Sequence, residues 1–284
     1  MQLKEYYIHF VNELKEFYDS HEASVISSMI FESIAQINKS ALITHPHQIV
    51  EKEMLNKLNE ALAQLKLQVP VQYITGQAWF YNLQFKVSPA VLVPRPETEE
   101  LVKMGIEFIK THHKKTVLDI GTGSGCIAVS IKKNLPEISM YAIELSEDAL
   151  TIAKENGVAH LTEINWQQMN FLDEEQWKLL PMFDVIVSNP PYIPLKEKDT
   201  LDKNVTAHEP YLALFVPDIQ PLIFYEKIAA FGKEHLAIGG SIFMETHESY
   251  ANEVAALFNE NGYEAIIQKD FYEKERMVTA TRFR

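Results

Sequence analysis

The chain reads as a doubly wound α/β sheet preceded by a small all-helical domain, on three observations. The first 67 residues contain no glycine and a single proline, Pro46, and their apolar residues recur at helical spacing. From Thr116 onward, short apolar runs alternate with stretches of helical period. A glycine-rich turn, Gly121-Thr122-Gly123-Ser124-Gly125, lies between the first such run and the first such stretch.

The helical region comes first. Tyr7, Phe10, Val11, Leu14, Phe17 and Tyr18 make one apolar stripe, read as core packing. Ser24 to Ile37 and Ile49 to Leu65 predict two more helices, with a break at His45-Pro46. Four or five helices are expected in all. Ala78 to Val87 alternates as a β-hairpin does, with Asn82 near its turn. Val93-Pro94-Arg95 is held extended by proline. Pro96 suits the first turn of a helix, and Glu97, Glu99 and Glu100 suit its positive end.

Strands are then expected at Thr116–Ile120, Met140–Ile143, Ile164–Met169, Phe183–Ser188 and Ser241–Glu245. Helices are expected at Ser124–Lys133, Glu147–Asn156, Ile223–Leu236 and Glu248–Asn261. Tyr263–Gln268 and Met277–Thr281 predict a closing antiparallel pair. This succession predicts domains at 1–75 (helical), 76–92 (hairpin linker) and 93–284 (α/β). Ligands are expected at the carboxyl ends of the strands.

Composition removes several classes. A single cysteine, Cys126, rules out a disulfide framework within one chain and makes a cysteine metal site untenable. No charged stretch followed by a short apolar run opens the sequence and no apolar run reaches bilayer length, so no secretory leader and a cytoplasmic protein are expected. The net charge of −13 disfavours sequence-independent DNA binding and suits a basic partner. Neither a membrane partner nor a metal is indicated, and a monomer is expected.

The glycine turn lacks a Gly-Lys-Ser/Thr ending, so it is not a P-loop. Asp119, at the end of the strand before it, offers a carboxylate to a cationic amino group, directly or through water. Glu144 ends the next strand about 20 residues on, where a carboxylate accepts from ribose hydroxyls. Acids at both strand ends suit an amino-acid nucleoside better than a pyrophosphate, and S-adenosyl-L-methionine is such a molecule. Gly121, Thr122, Gly123, Ser124 and Gly125, with Asp119 and Glu144, are the candidate cofactor site.

The chemistry lies at Asn189-Pro190-Pro191-Tyr192, after the strand Phe183–Ser188. An amide or aromatic amine nitrogen is a poor nucleophile because its lone pair is delocalised, and it has two N–H donors. The Asn189 side-chain oxygen and the Pro190 carbonyl can accept one each, directing the lone pair at a sulfonium methyl. Pulling on both hydrogens also stabilises charge developing on nitrogen. Tyr192 can pack flat against the planar group. Asn189, Pro190 and Tyr192 are therefore candidate catalytic residues, and Asn189, Pro190, Pro191 and Tyr192 a candidate substrate site. A dehydrogenase would leave this motif unexplained. A DNA adenine or other amino-methyltransferase stays open as an alternative, since an exocyclic amine presents the same donors, as does a non-catalytic binding protein of this fold.

These motifs resemble those of the release factor glutamine methyltransferases. The likeness covers nearly the whole chain: Pro70 to Gly76, Pro94-Arg95-Pro96-Glu97-Thr98-Glu99, Asp119 to Gly125, Ser188 to Tyr192, His208-Glu209-Pro210 with Ala213-Leu214, and Glu275-Arg276. Asn-Pro-Pro-Tyr alone is shared with DNA adenine methyltransferases; the Pro-Arg-Pro-Glu-Thr-Glu stretch is more specific. The resemblance implies a seven-stranded Rossmann-like methyltransferase sheet. It also implies S-adenosylmethionine-dependent N5-methylation of the glutamine in the Gly-Gly-Gln loop of peptide chain release factors. It places Asn170 and Phe171 beside the adenine, Asn189 on both cofactor and substrate, and the helical domain against the release factor. Glu144 and Asn170 stand where the family usually carries aspartate. Arg95 and Glu97 are read either as catalytic-face residues or as an Arg–Glu pair bracing the turn, and His208 receives no role.

Overall fold

The computed structural model describes residues 1–283, apart from the side chain of residue 203. In chain order the elements begin with helices α1 (Leu3–Leu14), α2 (Ser20–Ala35), α3 (Lys39–Thr44), α4 (Lys52–Lys66) and α5 (Val71–Thr75). Strands β1 (Gln77–Phe80) and β2 (Leu83–Lys86) follow, then α6 (Pro96–Thr111), β3 (Thr116–Ile120), α7 (Cys126–Asn134), β4 (Ser139–Glu144), α8 (Glu147–Ala159), β5 (Asn165–Gln168) and β6 (Phe183–Ser188). The remainder is β7 (Ile193–Pro194), α9 (Lys203–His208), α10 (Tyr211–Leu214), β8 (Phe215–Val216), α11 (Ile223–His235), β9 (Leu236–Glu245), α12 (Ala251–Glu260), β10 (Glu264–Lys269) and β11 (Glu275–Thr281).

Two compact units result. Met1–Gln77 together with Asp202–His208 forms one; Ala78–Leu201 together with Glu209–Arg284 forms the other.

In the helical unit, α1 buries Leu3, Tyr6, Phe10 and Leu14, three or four residues apart on one face. They meet Ile26, Ile30 and Phe31 of α2 and Leu58, Leu62 and Leu65 of α4. Phe17 departs from the expected stripe: α1 ends at Leu14, so Phe17 leaves the helical face and is 41% exposed. Asp19 caps α2, accepting from the amides of His21 and Glu22 at 2.8 and 2.9 Å. His208 belongs to this unit and hydrogen-bonds the Leu67 carbonyl at 3.0 Å.

The second unit is built on a seven-stranded sheet of order β10-β11-β9-β6-β3-β4-β5, in which only the pairings of β11 are antiparallel. Chain order reverses at β3, with β4 on one side and β6 on the other, which is the place a doubly wound sheet binds ligands. Alternate strand residues enter two cores. Leu118, Ile120, Ile186, Ile242 and Met244 pack towards α11 and α12 on one face. Val117, Val185, Val187 and Phe243 pack towards α6 and α7 on the other. The predicted hairpin forms as β1 and β2, with Tyr81 and Asn82 both at positive φ in its turn.

The largest departure is β9. A helix was expected to run through Leu236 and the strand to start at Ser241; instead the strand begins at Leu236, directly after α11. The pairing with β6 jumps from Phe183–Leu236 to Val185–Ser241, an irregularity that absorbs three extra residues of β9. Gly240 permits it, because a Cβ there would stand 2.6 Å from the Asp184 carbonyl oxygen of β6. Gly240→Ala is expected to force these strands apart and to cost roughly 1–3 kcal/mol of stability, read from urea denaturation midpoints. A loss within about 0.5 kcal/mol, the range of an ordinary surface change, would show that the bulge tolerates a side chain.

Candidate active site

Strand register assembles the site. Ile120 pairs with Ile143 of β4 and with Ser188 of β6, and Ser188 pairs with Met244 of β9. The next residue on each strand is Glu144, Gly121, Asn189 or Glu245, so these four form one row along the carboxyl rim of the parallel strands. A cavity of about 320 Å³ opens beside that row, within the usual range for a small-molecule site.

Of the candidate residues, Gly121, Gly123, Glu144, Asn170, Phe171, Asn189, Pro190 and Pro191 line the cavity. Asp119, Thr122, Ser124, Gly125 and Tyr192 are not in its wall. They brace it: Asp119, Thr122 and Ser124 are buried beneath the loop. Gly121 and Gly123 have φ of +71° and +55°, and a Cβ on either would meet nothing within 4 Å. The loop thus bares backbone to the space a ligand would occupy.

Glu144 pins the loop. Its Oε2 accepts from the Gly123 amide at 2.9 Å and its Oε1 from the Ser146 amide at 3.0 Å. Each carboxylate oxygen keeps a further lone pair for a ligand hydroxyl. Asp119 Oδ2 accepts from the Thr122 hydroxyl at 2.6 Å, whereas Oδ1 has no partner among the described residues. Burial raises the Asp119 pKa from 3.8 to about 7; the Thr122 hydroxyl opposes the rise and the nearby Glu144 charge adds to it. Asn170 turns its loop back, its side-chain oxygen accepting from the Leu172 amide at 3.1 Å. Phe171 stacks on Trp177 at 5.5 Å, giving the cavity a rigid apolar side. A buried carboxylate oxygen in need of a donor, a second carboxylate, bare glycine backbone and an apolar flank together fit an amino-acid nucleoside such as S-adenosylmethionine.

Asn189 is held at one end. Its Nδ2 donates to the Thr98 hydroxyl oxygen at 3.1 Å, and the Thr98 hydroxyl donates to Glu245 Oε2 at 2.6 Å. The Tyr192 hydroxyl donates to Glu245 Oε1 at 3.3 Å. Among the described residues, neither Asn189 Oδ1 nor the Pro190 carbonyl accepts a protein hydrogen bond. Glu245 is 2% exposed; burial raises its pKa, against hydrogen bonds from Thr98 and Tyr192. Burial and the Glu245 charge push the Tyr192 hydroxyl far above the ordinary tyrosine range, so it remains a donor.

Arg95 and Glu97 do not pair with each other. Arg95 binds the buried Glu209 at 2.5 Å, and Glu97 lies 3.7 Å from Arg276 of β11. Thr98 and Glu245 were not read from the sequence as site residues. A buried acid at the carboxyl end of β9 was the available signal for Glu245; nothing local marks Thr98 as the partner of a residue 91 positions away.

Residues 101–208 match the model of the Methyltransferase small domain, and residues 5–76 that of the PrmC N-terminal domain. A release factor glutamine methyltransferase of Flavobacterium psychrophilum is 39% identical over 98% of this chain and 98% of its own length. One from Bacteroides thetaiotaomicron is 35% identical over 95% of this chain and 96% of its own. Neither is named for DNA. The fold of a Pyrococcus furiosus methyltransferase superposes with a TM-score of 0.51 at 16% identity, over 82% of this chain and 100% of that one. With relatives 35–39% identical over nearly their full length, the chain belongs to the release factor glutamine methyltransferase family.

Proposed function

We propose that this protein uses S-adenosylmethionine to methylate the side-chain nitrogen, N5, of the glutamine in the Gly-Gly-Gln loop of peptide chain release factors, modulating translation termination. The observation that carries the reading is Asn189, tethered by its NH2 end on the rim that also holds the glycine loop and Glu144. S-adenosylmethionine, when bound, supplies an electrophilic methyl group on a positive sulfonium.

Gly121, Gly123 and Glu144 are the residues to hold its amino acid and ribose, Asn170 and Phe171 its adenine, while Thr122, Ser124 and Gly125 shape the loop. Asn189 Oδ1 and the Pro190 carbonyl each accept one N–H of the glutamine amide. Both acceptors withdraw positive charge from nitrogen as it alkylates. Pro191, in the cavity wall, gives the planar amide a flat neighbour, and Tyr192, fixed through its hydroxyl on Glu245, braces that turn from behind. A protonated amide is strongly acidic, so the product sheds its proton without a dedicated base. Alignment supplies much of the rate, with effective molarity worth on the order of 7–11 kcal/mol.

The helical unit is proposed to dock the release factor; its exposed apolar side chains Ile8, Ile43 and Ile49 support that reading. The net charge of −13 suits a partner with a basic surface. The residues proposed for cofactor and substrate all lie in one of the two units, and action as a monomer is part of the proposal. Release factors work at the ribosome, which supports a cytoplasmic location; no helix among the described residues is long and apolar enough to cross a membrane.

Methyl transfer from labelled S-adenosylmethionine tests the reading. A release factor should be labelled, and the same factor with its Gly-Gly-Gln glutamine changed to alanine should not; duplex DNA should stay unlabelled. Asn189→Ala should lower turnover by roughly 100- to 1,000-fold, the loss typical of a removed transition-state hydrogen bond. Label on DNA, or an Asn189→Ala enzyme as fast as wild type, would sink it.

Asp119 generates a second expectation. Its folded pKa of about 7 exceeds the ordinary 3.8, so between those values the native state binds more protons than the unfolded chain. The contribution of Asp119 is fully favourable below about pH 4 and is lost as pH rises through about 7, a swing on the order of 4 kcal/mol. In urea titrations of the ligand-free protein, Asp119→Asn should gain stability relative to wild type between pH 5 and pH 8. A wild-type-to-variant difference that does not move with pH would show that Asp119 ionises normally.

A further inference from the structure

We infer that Thr98 and Glu245 are positioning residues that lock Asn189 with its amide oxygen, and not its nitrogen, available to the substrate, so that the site selects a carboxamide over a carboxylate. This rests on the proposed role of Asn189.

An asparagine side chain is nearly symmetrical in shape but opposite in chemistry at its two ends. Turned one way it accepts a substrate N–H; turned the other it donates to a substrate oxygen. Something must choose. A glutamate carboxylate only accepts, and the Glu245 Oε2 takes the single hydrogen of the Thr98 hydroxyl at 2.6 Å. Thr98 Oγ1 is then left with lone pairs alone, so its contact to Asn189 at 3.1 Å requires the NH2 end. Oδ1 becomes the end offered to the cavity. The relay therefore sets the polarity of Asn189 from a buried charge two hydrogen bonds away.

Both Glu245 oxygens accept, Oε2 from Thr98 and Oε1 from Tyr192, which is the pattern of a carboxylate. Thr98 lies in the first turn of α6, a 16-residue helix whose positive end faces this carboxylate. Burial, with the neighbouring Glu97, raises the Glu245 pKa, and the hydrogen bonds from Thr98 and Tyr192 and the charge of Arg276 oppose the rise. The Tyr192 hydroxyl occupies Oε1, and the Tyr225 hydroxyl binds the Glu245 backbone carbonyl at 3.0 Å, so the side chain is fixed on both oxygens and at its root. Were Glu245 neutral, it could donate to Thr98 and release Thr98 to donate to Asn189, reversing the amide.

The consequence is discrimination. A glutamine amide brings two donors to the Asn189 and Pro190 oxygens. A glutamate carboxylate brings acceptors against acceptors, and a site built to pair buried hydrogen bonds rejects a group that leaves them unpaired far more strongly than one that lacks a methylene. Neither Thr98 nor Glu245 lines the cavity, so this is selection exercised from behind the wall.

The test uses full-length enzyme and intact release factor, in the glutamine form and in a form with glutamate at the Gly-Gly-Gln position. Thr98→Val removes the relay but keeps the shape; Thr98→Ser keeps both. Thr98→Val should lower kcat roughly 10- to 100-fold on the glutamine form, as expected for loss of one orienting hydrogen bond, with KM within about threefold. It should also narrow the binding preference for the glutamine over the glutamate form. Thr98→Ser should recover most of the rate, and S-adenosylmethionine affinity, measured by calorimetry, should hold in both. Glu245→Gln, which can donate as well as accept, should lie between the two threonine variants in kcat and guards against a valine variant that fails to fold.

Thr98→Val and Glu245→Gln enzymes within about twofold of wild type, while Asn189→Ala is inactive, would overturn the inference alone. Equal losses in Thr98→Ser and Thr98→Val, or a rise confined to KM, would overturn it too. A fully active Asn189→Ala would overturn both the inference and the reading beneath it.

Discussion

The parallel ladder between β4, β3, β6 and β9 is the constraint on which everything else depends. Its register sets Ile143, Ile120, Ser188 and Met244 side by side and so delivers Glu144, Gly121, Asn189 and Glu245 to a common edge. Side chains alternate across a sheet with period two, and both faces here are filled by apolar cores. A slip of one residue would turn each strand's core residues to the wrong face, and the cores hold register for that reason. The site inherits its alignment from packing far below it. The bulge opposite Phe183 and Val185 shows the same control: the extra residues of β9 are absorbed at the bottom of the sheet, and regular pairing resumes before the strand reaches Glu245.

Much of this was legible in the sequence because it is local. Glycines that must expose backbone, an acid ending a buried strand and an asparagine followed by two prolines each announce themselves within a few residues. The strands were readable as apolar runs, and the doubly wound sheet followed from their alternation with helices, while its seven strands were what the resemblance implied. Elements set by distant partners were less visible. The start of β9 at Leu236 depends on how closely β6 approaches Gly240, and helical spacing cannot reveal that. Phe17 fits an apolar stripe only if the helix continues, and α1 stops three residues earlier.

The same limit explains the site. Pro96, Glu97 and Glu99 are intelligible as a helix start, but Thr98 in their midst has its meaning through Asn189 and Glu245, on strands β6 and β9. Asp119 read as a strand-end acid offered to a cationic amino group; in three dimensions it is wholly buried, one oxygen on Thr122 and the other without a partner among the described residues. Arg95 and Glu97, neighbours in sequence, turn to different acids and bases across the fold. In each case the residue type was the clue and the partner was the missing half.

The lone thiol shows what burial under this loop does to chemistry of another kind. Cys126 opens α7 directly after Gly125, and burial pushes its pKa up to about 12. Only the thiolate attacks oxidants and electrophiles, and near neutral pH such a group is ionised in roughly one molecule in 10⁵. The one sulfhydryl in the chain thus sits against the loop that would cradle the methyl donor in its neutral, unreactive form. The fold thus withholds from the loop the one thiol through which oxidants or electrophiles could modify it.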